Sequence, residues 1–373
     1  MMNKKRLNII VTFFALLPLL INGCMKESNT SVVPEFTNSA ELLVYIELNR
    51  NVMALENYSP EINVDEVYSN KSNLLLVDIR EKASFTAGHI EGAKNVLPKD
   101  LLSFLKATDL TPYQKIVIVG TTGQDGAYVT CLLRLAGFEN VYCLDYGMGY
   151  WNKAFSEPWV QGKSYYGNKY FNQFSYVKNS FSALPEVSYS NRNTIEEKVD
   201  SRINVCLEKG YDAIKTNMKD TYANYFDYSS NSFSGCYVVC YGPEFLYSGP
   251  FGYYGLLGHP SSSVLYNPLT DFKSTSYLQT IPASIPIIIY SLNGQQGAYL
   301  AAYLQFLGYD ARNIDFGGWA LWGKSYYIRS IMPGVKLPID YYLNEFTPYG
   351  YWLADKGNLH LSLVRDYPYI IGE

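Results

Sequence analysis

Charge is scarce in this chain: 17% of its 373 residues are Asp, Glu, Lys or Arg, and three are histidine. The 30 basic and 34 acidic residues leave a net charge of −4. Nucleic-acid binding needs clustered Lys and Arg to neutralise phosphates, so this mildly acidic balance argues against such a partner. His89, His259 and His360 lie far apart and form no local metal-ligand motif. Neither a metal nor another cofactor is expected. Cysteine is sparse too, with six in all. Cys236 and Cys240 flank Tyr-Val-Val in an apparent strand. At about 3.3 Å per residue they would sit roughly 13 Å apart, too far for a disulfide. Cys131 falls in a helical stretch and Cys143 in a strand, where a thiol acts as a small hydrophobe. A membrane-spanning run is also missing. The apolar stretch from Leu7 to Ile21 is interrupted by Asn8, Thr12 and Pro18 and falls short of the about 20 residues a span requires.

That N-terminal stretch has a different use. Lys4, Lys5 and Arg6 precede it, and Leu20-Ile-Asn-Gly-Cys24 closes it. The pattern resembles a bacterial lipoprotein signal, with a small residue before the cysteine that is lipidated. Residues 1–24 are expected to be the signal peptide, Cys24 the lipidation site and residues 25–36 a tether. The membrane is then a partner through the lipid anchor. Met25 rather than an aspartate after Cys24 favours the outer membrane where the organism has one. Without the leader, 27 basic residues face 34 acidic ones, a net of −7, which argues against steering of anionic substrates. Tyrosine is abundant, at 36 residues. It can stack on sugars or peptides when exposed, or supply wide, rigid packing when buried.

Three apolar runs without alternation, Leu74 to Ile79, Lys115 to Val119 and Asn140 to Asp145, read as strands buried on both faces. Between the last two, Ala127, Cys131 and Leu135 recur every four residues, as do Tyr128 and Leu132. This predicts a helix with one apolar face, stopped at Gly137. Strand, helix and strand at this spacing imply right-handed parallel crossovers and an α/β/α domain. The first run carries Asp78-Ile-Arg80, followed by Phe85-Thr-Ala-Gly-His-Ile-Glu-Gly-Ala-Lys-Asn95. With the later strand, loop, helix and Gly137-Phe138, this order resembles the rhodanese (sulfurtransferase) family. The resemblance implies a small parallel sheet of about five strands with helices on both sides.

The chain also repeats itself. Gly123-Gln-Asp-Gly-Ala-Tyr128 recurs as Gly294-Gln-Gln-Gly-Ala-Tyr299, and Gly88-His89 as Gly258-His259. Leu144-Asp-Tyr-Gly147 is answered by Ile314-Asp-Phe-Gly317. Several features in one order at nearly constant spacing indicate a duplicated domain. The expected fold class is therefore α/β, as two rhodanese-like α/β/α domains. The first is expected over residues 37–155 and a degenerate second over 193–330. A linker or extension (156–192) separates them, and Asn193-Thr-Ile-Glu-Glu197 starts a capped helix running to about Glu208. A C-terminal extension (331–373) is expected to pack on the second copy.

In active members of the family the loop begins with the cysteine that carries the transferred sulfur. An arginine commonly follows, and a basic or hydroxyl residue closes the loop. The loop's N–H groups, at a helix N-terminus, lower the thiol pKa and hold the anionic donor. Here the first loop is Gly120, Thr121, Thr122, Gly123, Gln124 and Asp125. The second is Ser291, Leu292, Asn293, Gly294, Gln295 and Gln296. Neither begins with a nucleophilic thiol, no arginine follows, and Asp125 places negative charge where an anionic substrate would sit. No catalytic residue is assigned. Ser291 reads as a hydroxyl capping the next helix, because its nearest histidine, His259, matches the structural His89. Two readings of the retained Gly-Gln-x-Gly-Ala-Tyr loops stand side by side. The glycines permit a tight turn and Ala and Tyr begin helix packing, or backbone amides with Gln124 or Gln295 bind a ligand. Gly318-Trp-Ala-Leu-Trp-Gly-Lys-Ser325 matches the P-loop spacing, yet its two tryptophans are too bulky for a phosphate cradle.

The expected function is a non-catalytic binding or scaffold protein of the cell envelope, whose partner is an unnamed protein or small molecule. The alternative is a sulfurtransferase using a displaced thiol, Cys143 or Cys240.

Overall fold

The computed structural model describes residues 35–50, 52–53, 60–162, 171–172, 176–189, 193–242, 244–248, 259–322 and 364–373. The leader, Cys24 and the tether to residue 34 lie outside the described residues, as do Lys324 and Ser325 of the P-loop match and residues 331–363 of the tail.

Five strands make the first sheet: β1 (Glu61–Ile62), β2 (Leu74–Asp78), β3 (Lys94–Asn95), β4 (Lys115–Val119) and β5 (Val141–Leu144). Their spatial order is β1-β5-β4-β2-β3, and every pair is parallel. β2 and β4 pair from Leu74↔Lys115 to Asp78↔Val119. Alternate side chains leave on opposite faces, as the pleat requires. Leu75 and Val77 enter one apolar cluster, whereas Leu74 and Leu76 enter the other. Both faces are covered, so these runs carry no polar alternation.

The second sheet contains β6 (Lys215–Thr216), β7 (Tyr237–Tyr241), β8 (Val264–Tyr266), β9 (Ile287–Tyr290) and β10 (Ala311–Ile314). Its order, β6-β10-β9-β7-β8, repeats that of the first sheet strand for strand, again with parallel pairs throughout. The architecture is thus α/β, with two small parallel sheets flanked by helices.

Four helices matter for the site: α1 (Ala40–Asn49), α2 (Gln124–Leu135), α3 (Ile195–Lys209) and α4 (Gln295–Phe306). α3 starts where its capping box predicts. The Thr194 hydroxyl accepts from the Glu197 N–H at 3.1 Å, and the Glu197 carboxylate accepts from the Thr194 N–H at 3.3 Å. α2 connects β4 to β5, and α4 connects β9 to β10. The single apolar face expected for α2 is only part of the result. Every residue of α2 except Asp125 is buried, and every residue of α4 except Gln296. The two helices pack on each other, so each covers the face that the other would show to water. A helix buried all round needs no polar stripe. The α2 and α4 side chains join the inner faces of both sheets in one apolar cluster.

The packing repeats along with the strands. The Tyr128 hydroxyl donates to the Cys206 carbonyl near the end of α3 (3.0 Å), and that of Tyr299 to the Val52 carbonyl after α1 (2.9 Å). Arg134 Nε donates to the Val141 carbonyl at 3.0 Å, and Gln305 Nε2 to the Ala311 carbonyl at 2.7 Å. Seven of the nine largest fully buried side chains are tyrosines, so packing accounts for much of the tyrosine content.

One expectation is corrected. The extension is expected to pack on the second copy, but its described end, residues 364–373, packs on the first half. His89 and Ile370 form a bridge, with N–H···O distances of 3.0 and 2.8 Å. Arg365 grips the Asp65 carboxylate with two contacts of 2.7 Å, and Tyr367 stacks on Tyr68 with centroids 4.0 Å apart. Trp151 Nε1 donates to the Pro368 carbonyl at 2.9 Å. The first half supplies the aromatic surface and the carboxylate that this Arg-x-Tyr-Pro-Tyr segment matches. Within 156–192, Trp159 is fully buried and donates from Nε1 to the Tyr146 carbonyl at 3.1 Å.

Candidate functional site: two reciprocal loops and a cleft

Each loop lies between the end of a central strand and the start of a central helix, as a nucleophile loop would. At its head, Gly120 is buried, and a Cβ added there would meet the Asp125 carboxylate at 2.1–2.5 Å. Asp125 sits in the first turn of α2, where a negative charge suits the helix dipole. Its side chain turns back over the loop. Oδ2 accepts from the Thr121 N–H at 2.8 Å and Oδ1 from the Gly126 N–H at 3.0 Å. The carboxylate therefore sits in the amide cradle that would hold an anion. Burial raises its pKa and the nearby Asp78 charge adds to this, while the two N–H groups act the other way.

The second loop is closed differently. Ser291 Oγ accepts from the Gly297 N–H at 2.9 Å, capping the first turn of α4. Leu292 is buried, and Asn293 Oδ1 accepts from the Gln295 N–H at 3.0 Å. His259 Nδ1 bonds the Tyr247 carbonyl at 2.8 Å and its ring stacks on Tyr247. His89 is held the same way, by the Phe85 carbonyl at 3.0 Å and the Phe85 ring.

The two glutamines reach into opposite halves. Gln124 Oε1 accepts from the Phe316 N–H at 2.8 Å, while its amide nitrogen donates to Thr122 Oγ1 at 3.2 Å. Gln295 Oε1 accepts from the Tyr146 N–H at 2.7 Å, and its Nε2 donates to Asp145 Oδ1 at 2.8 Å. Both side chains are fully buried. The preceding glycines leave room for them. Gly123 and Gly294 have φ of +79° and +85°, and a Cβ on either would come within 2.0 Å of the other half's Gln Oε1. The receiving residues Tyr146 and Phe316 are also left-handed, at φ 55° and 60°. Both amides are thus engaged across the junction, and neither lines an opening. Sequence reasoning missed this role because it depends on how two halves distant in sequence dock.

The first loop does face an opening. A cleft of ≈ 810 Å³ lies between the halves, with Thr121, Thr122 and Asp125 on one wall and Tyr211 and Asp315 on the other. Arg80 also lines it, but Asp78 holds that guanidinium through contacts of 2.9 and 2.6 Å, and Arg80 Nη2 donates to the Gly88 carbonyl at 2.7 Å. The Tyr211 hydroxyl lies 2.9 Å from Asp315 Oδ1 and 3.2 Å from Gln124 Oε1, and accepts from Asn313 Nδ2 at 2.8 Å.

The described cysteines, 131, 143, 206, 236 and 240, are all free and buried. Burial pushes the thiols of Cys143 and Cys240 well up, with the Glu61 and Asp145 charges adding to it at Cys143. A nucleophilic thiol needs the opposite, an exposed site that favours the thiolate. Among the described residues no group of three or more His, Cys, Asp or Glu is placed to hold a metal ion.

Asp145, the counterpart of Asp315, has its pKa pushed up to about 8 by burial and by Glu61. An acid with a raised folded pKa adds stability below its unfolded value, and that stability is lost as pH rises through the folded one. Unfolding free energy should therefore fall between the ordinary carboxylate range and about pH 8. Asp145→Asn, which keeps an acceptor for Gln295, should flatten that slope. Urea unfolding of both proteins across this range checks it; identical slopes would refute the assignment to Asp145.

The comparisons with known proteins concern mainly the first half. The profile of the Rhodanese-like domain matches residues 63–154. Thiosulfate sulfurtransferase GlpE of Pseudoalteromonas translucida is 32% identical over 88 residues, 24% of this chain and 82% of that protein. GlpE of Shewanella oneidensis is 36% identical over 80 residues, 21% of this chain and 76% of its own. Among solved structures, a rhodanese-related protein of Thermoplasma volcanium aligns with 26% of this chain and 92% of its own, at 20% identity and a TM-score of 0.23. Thiosulfate sulfurtransferase of Pseudomonas aeruginosa aligns with 76% of this chain and 49% of its own, at 12% identity and a TM-score of 0.25. Identity above 30% across four fifths of a curated relative, on a segment built as the fold demands, makes this chain a member of the rhodanese-like family.

Proposed function

We propose that the protein is a tandem rhodanese-like lipoprotein whose degenerate loops do not transfer sulfur, and that it binds or scaffolds a partner at the cell envelope. The observation that carries this reading is the Asp125 carboxylate, which lies where the Cβ of a residue-120 nucleophile would be. Persulfide chemistry needs a sulfur at that point and an empty anion cradle beneath the donor. Here the sulfur is missing and the cradle is filled from within. In the second loop, the Ser291 hydroxyl caps a helix. The common strand order of the sheets and the reciprocal glutamines support a duplication.

The relatives' names make thiosulfate sulfurtransfer the competing activity, through Cys143 or Cys240. Both thiols are fully buried. The deciding experiment is thiocyanate formation from thiosulfate and cyanide by the purified protein. Background rates are expected; turnover that disappears in Cys143→Ser or Cys240→Ser would establish the displaced-thiol enzyme instead.

The envelope assignment rests on the leader and Cys24. Stable anchoring takes two acyl chains, since one alone binds marginally. No described helix is long and apolar enough to cross a membrane. Cys24→Ser should leave the protein unprocessed or soluble on fractionation. An intact, unmodified N-terminus on membrane-bound protein would refute the anchor.

A further inference from the structure

We propose that the groove holding the tail, residues 364–373, is a recognition site for an extended peptide of a partner protein, with a basic side chain followed at the second and fourth positions by aromatic ones. The inference rests on the scaffold reading and gives it a surface and a class of partner. The groove is built by three separate segments of the first half, 65–68, 86–89 and 150–155.

The tail is seated as a peptide ligand is, not as part of a core. Its main chain bonds to the groove along its length. The Arg365 and Tyr367 N–H groups donate to the Tyr150 and Trp151 carbonyls at 2.8 and 3.1 Å. Those of Ile370 and Gly372 donate to the His89 and Thr86 carbonyls at 2.8 and 2.9 Å. Between them, Trp151 Nε1 and Asn152 Nδ2 donate to the Pro368 and Tyr367 carbonyls at 2.9 and 2.8 Å. Alternate side chains face the groove, as in an extended chain. Arg365 pairs with both oxygens of Asp65, the bidentate geometry that selects a guanidinium. Tyr367 stacks on Tyr68 and donates its hydroxyl to Asp65 Oδ1 at 2.7 Å. Tyr369 packs edge-on to Phe155 with centroids 5.0 Å apart, over Gly88, where a Cβ would meet both rings. The intervening Asp366 and Pro368 are exposed, as are Ile370 and Ile371. Main-chain bonds of this kind give affinity, and alternate anchors give selectivity.

The seat belongs to the first half and not to the tail that fills it. Without the tail, Asp65 would present a carboxylate beside the rings of Tyr68 and Trp151, with Phe155 further along. That combination of charge and ring faces is what a basic and aromatic peptide complements. A second copy of the chain is the poorer occupant. Its tail offers the same contacts without the covalent connection that keeps the resident tail at a high effective concentration. A partner's segment can improve on the resident instead. Asp366 meets Lys153 only at 3.4 Å on the exposed rim, and Ile371 is 71% exposed, so the tail leaves contacts that a better ligand would make.

Fluorescence anisotropy with a labelled peptide of residues 364–373 tests the site on the full-length protein. Arg365→Ala with Tyr367→Ala frees the groove by weakening the resident tail, and leaves the groove's own residues unchanged. The peptide should bind that variant saturably, and wild type at least about tenfold more weakly because the tethered tail competes. In the peptide, Ile371→Ser should change little, whereas Tyr367→Ala with Tyr369→Ala should abolish binding. Asp65→Asn added to the freed protein should weaken the native peptide about fivefold, the size expected of a part-exposed ion pair. Asp65→Arg should reverse the preference, so that a peptide carrying Arg365→Asp binds better than the native one. No saturable binding to the freed protein would overturn the proposal. So would equal binding with and without the aromatic anchors, or failure of the charge exchange. A wild-type dimer that Arg365→Ala with Tyr367→Ala dissolves would also overturn it, by making a second copy the occupant. The thiocyanate assay on the same preparations separates the two readings. Sulfur transfer together with peptide binding overturns the non-catalytic reading alone, whereas an inert protein that also ignores the peptide overturns the groove alone.

Discussion

Gly120→Cys alone is expected to leave thiocyanate formation at background. Restoring the sulfur does not restore the site, because the new Cβ would meet the Asp125 carboxylate at 2.1–2.5 Å. Asp125 must then turn away, giving up the Thr121 and Gly126 N–H groups that hold it. It would still stand beside the thiolate. A carboxylate about 4 Å from a thiolate costs about 4 kcal/mol at an effective dielectric of 20, which would suppress the reactive form roughly a thousandfold. Thr121 supplies no compensating cation. Activity is expected only with the pair Gly120→Cys and Asp125→Thr or Arg, and more with Thr121→Arg added. Because the three positions share one loop, their effects should not be additive. Thiocyanate formation by the single, double and triple variants is the measurement. Robust turnover in Gly120→Cys alone would mean that Asp125 swings clear without cost, contrary to its seat in the cradle.

The glutamine contacts should have the second-largest effect. Gln124→Ala leaves the Phe316 N–H without its acceptor, and Gln295→Ala does the same to the Tyr146 N–H. Each change leaves a buried donor unpaired, at about 1–3 kcal/mol. A loss of about 2 kcal/mol lowers the melting temperature by roughly 2–4 °C in a protein of this size. The double variant should fall short of the sum if the first change already loosens the junction. Gln124→Glu keeps the acceptor for Phe316 and should be milder. Gln295→Glu sets a second carboxyl against Asp145, so its destabilisation should grow as pH rises through about 8 and Asp145 ionises. Thermal melts of the four single variants and the double decide it. Unchanged melting in both alanine variants would show that the junction is held elsewhere.

Much of the fold could be read from the residues. Leu74 to Asp78 and Lys115 to Val119 are apolar without alternation because each strand is covered on both faces, and the structure places them side by side. The near-constant spacing between the Gly-Gln-x-Gly-Ala-Tyr motifs located the second sheet, even where Asp78 and Arg80 give way to Cys240 and Gly242. Three features were not readable, for related physical reasons. The apolar stripe of α2 is narrower than its burial, since α4 covers the remaining face and no local pattern records a partner helix from elsewhere in the chain. Asp125 reads as a charge repelling a substrate at an open site, but it is folded into the cradle. That outcome depends on a side-chain rotation. The tail meets Tyr68, Trp151 and Asp65, which are far from it in sequence. Its own composition does not say which half it will meet.

The crossed glutamines also bear on how such a chain can change over time. Gly294 must stay small because Gln124 needs the space, and Gln295 imposes the same demand on Gly123. A substitution in one loop is therefore felt by the other, and the halves cannot diverge independently at these positions. Elsewhere they are released: the Asp78–Arg80 pair of the first half has no counterpart at Cys240 and Gly242. What the two loops share in sequence is the part that each half presents to the other. For the same reason the segment matched by the family profile shares its core with the rest of the chain. Cut out alone, residues 63–154 would expose Gln124, Tyr128 and the flank of α2, which in the whole chain belong to the seam.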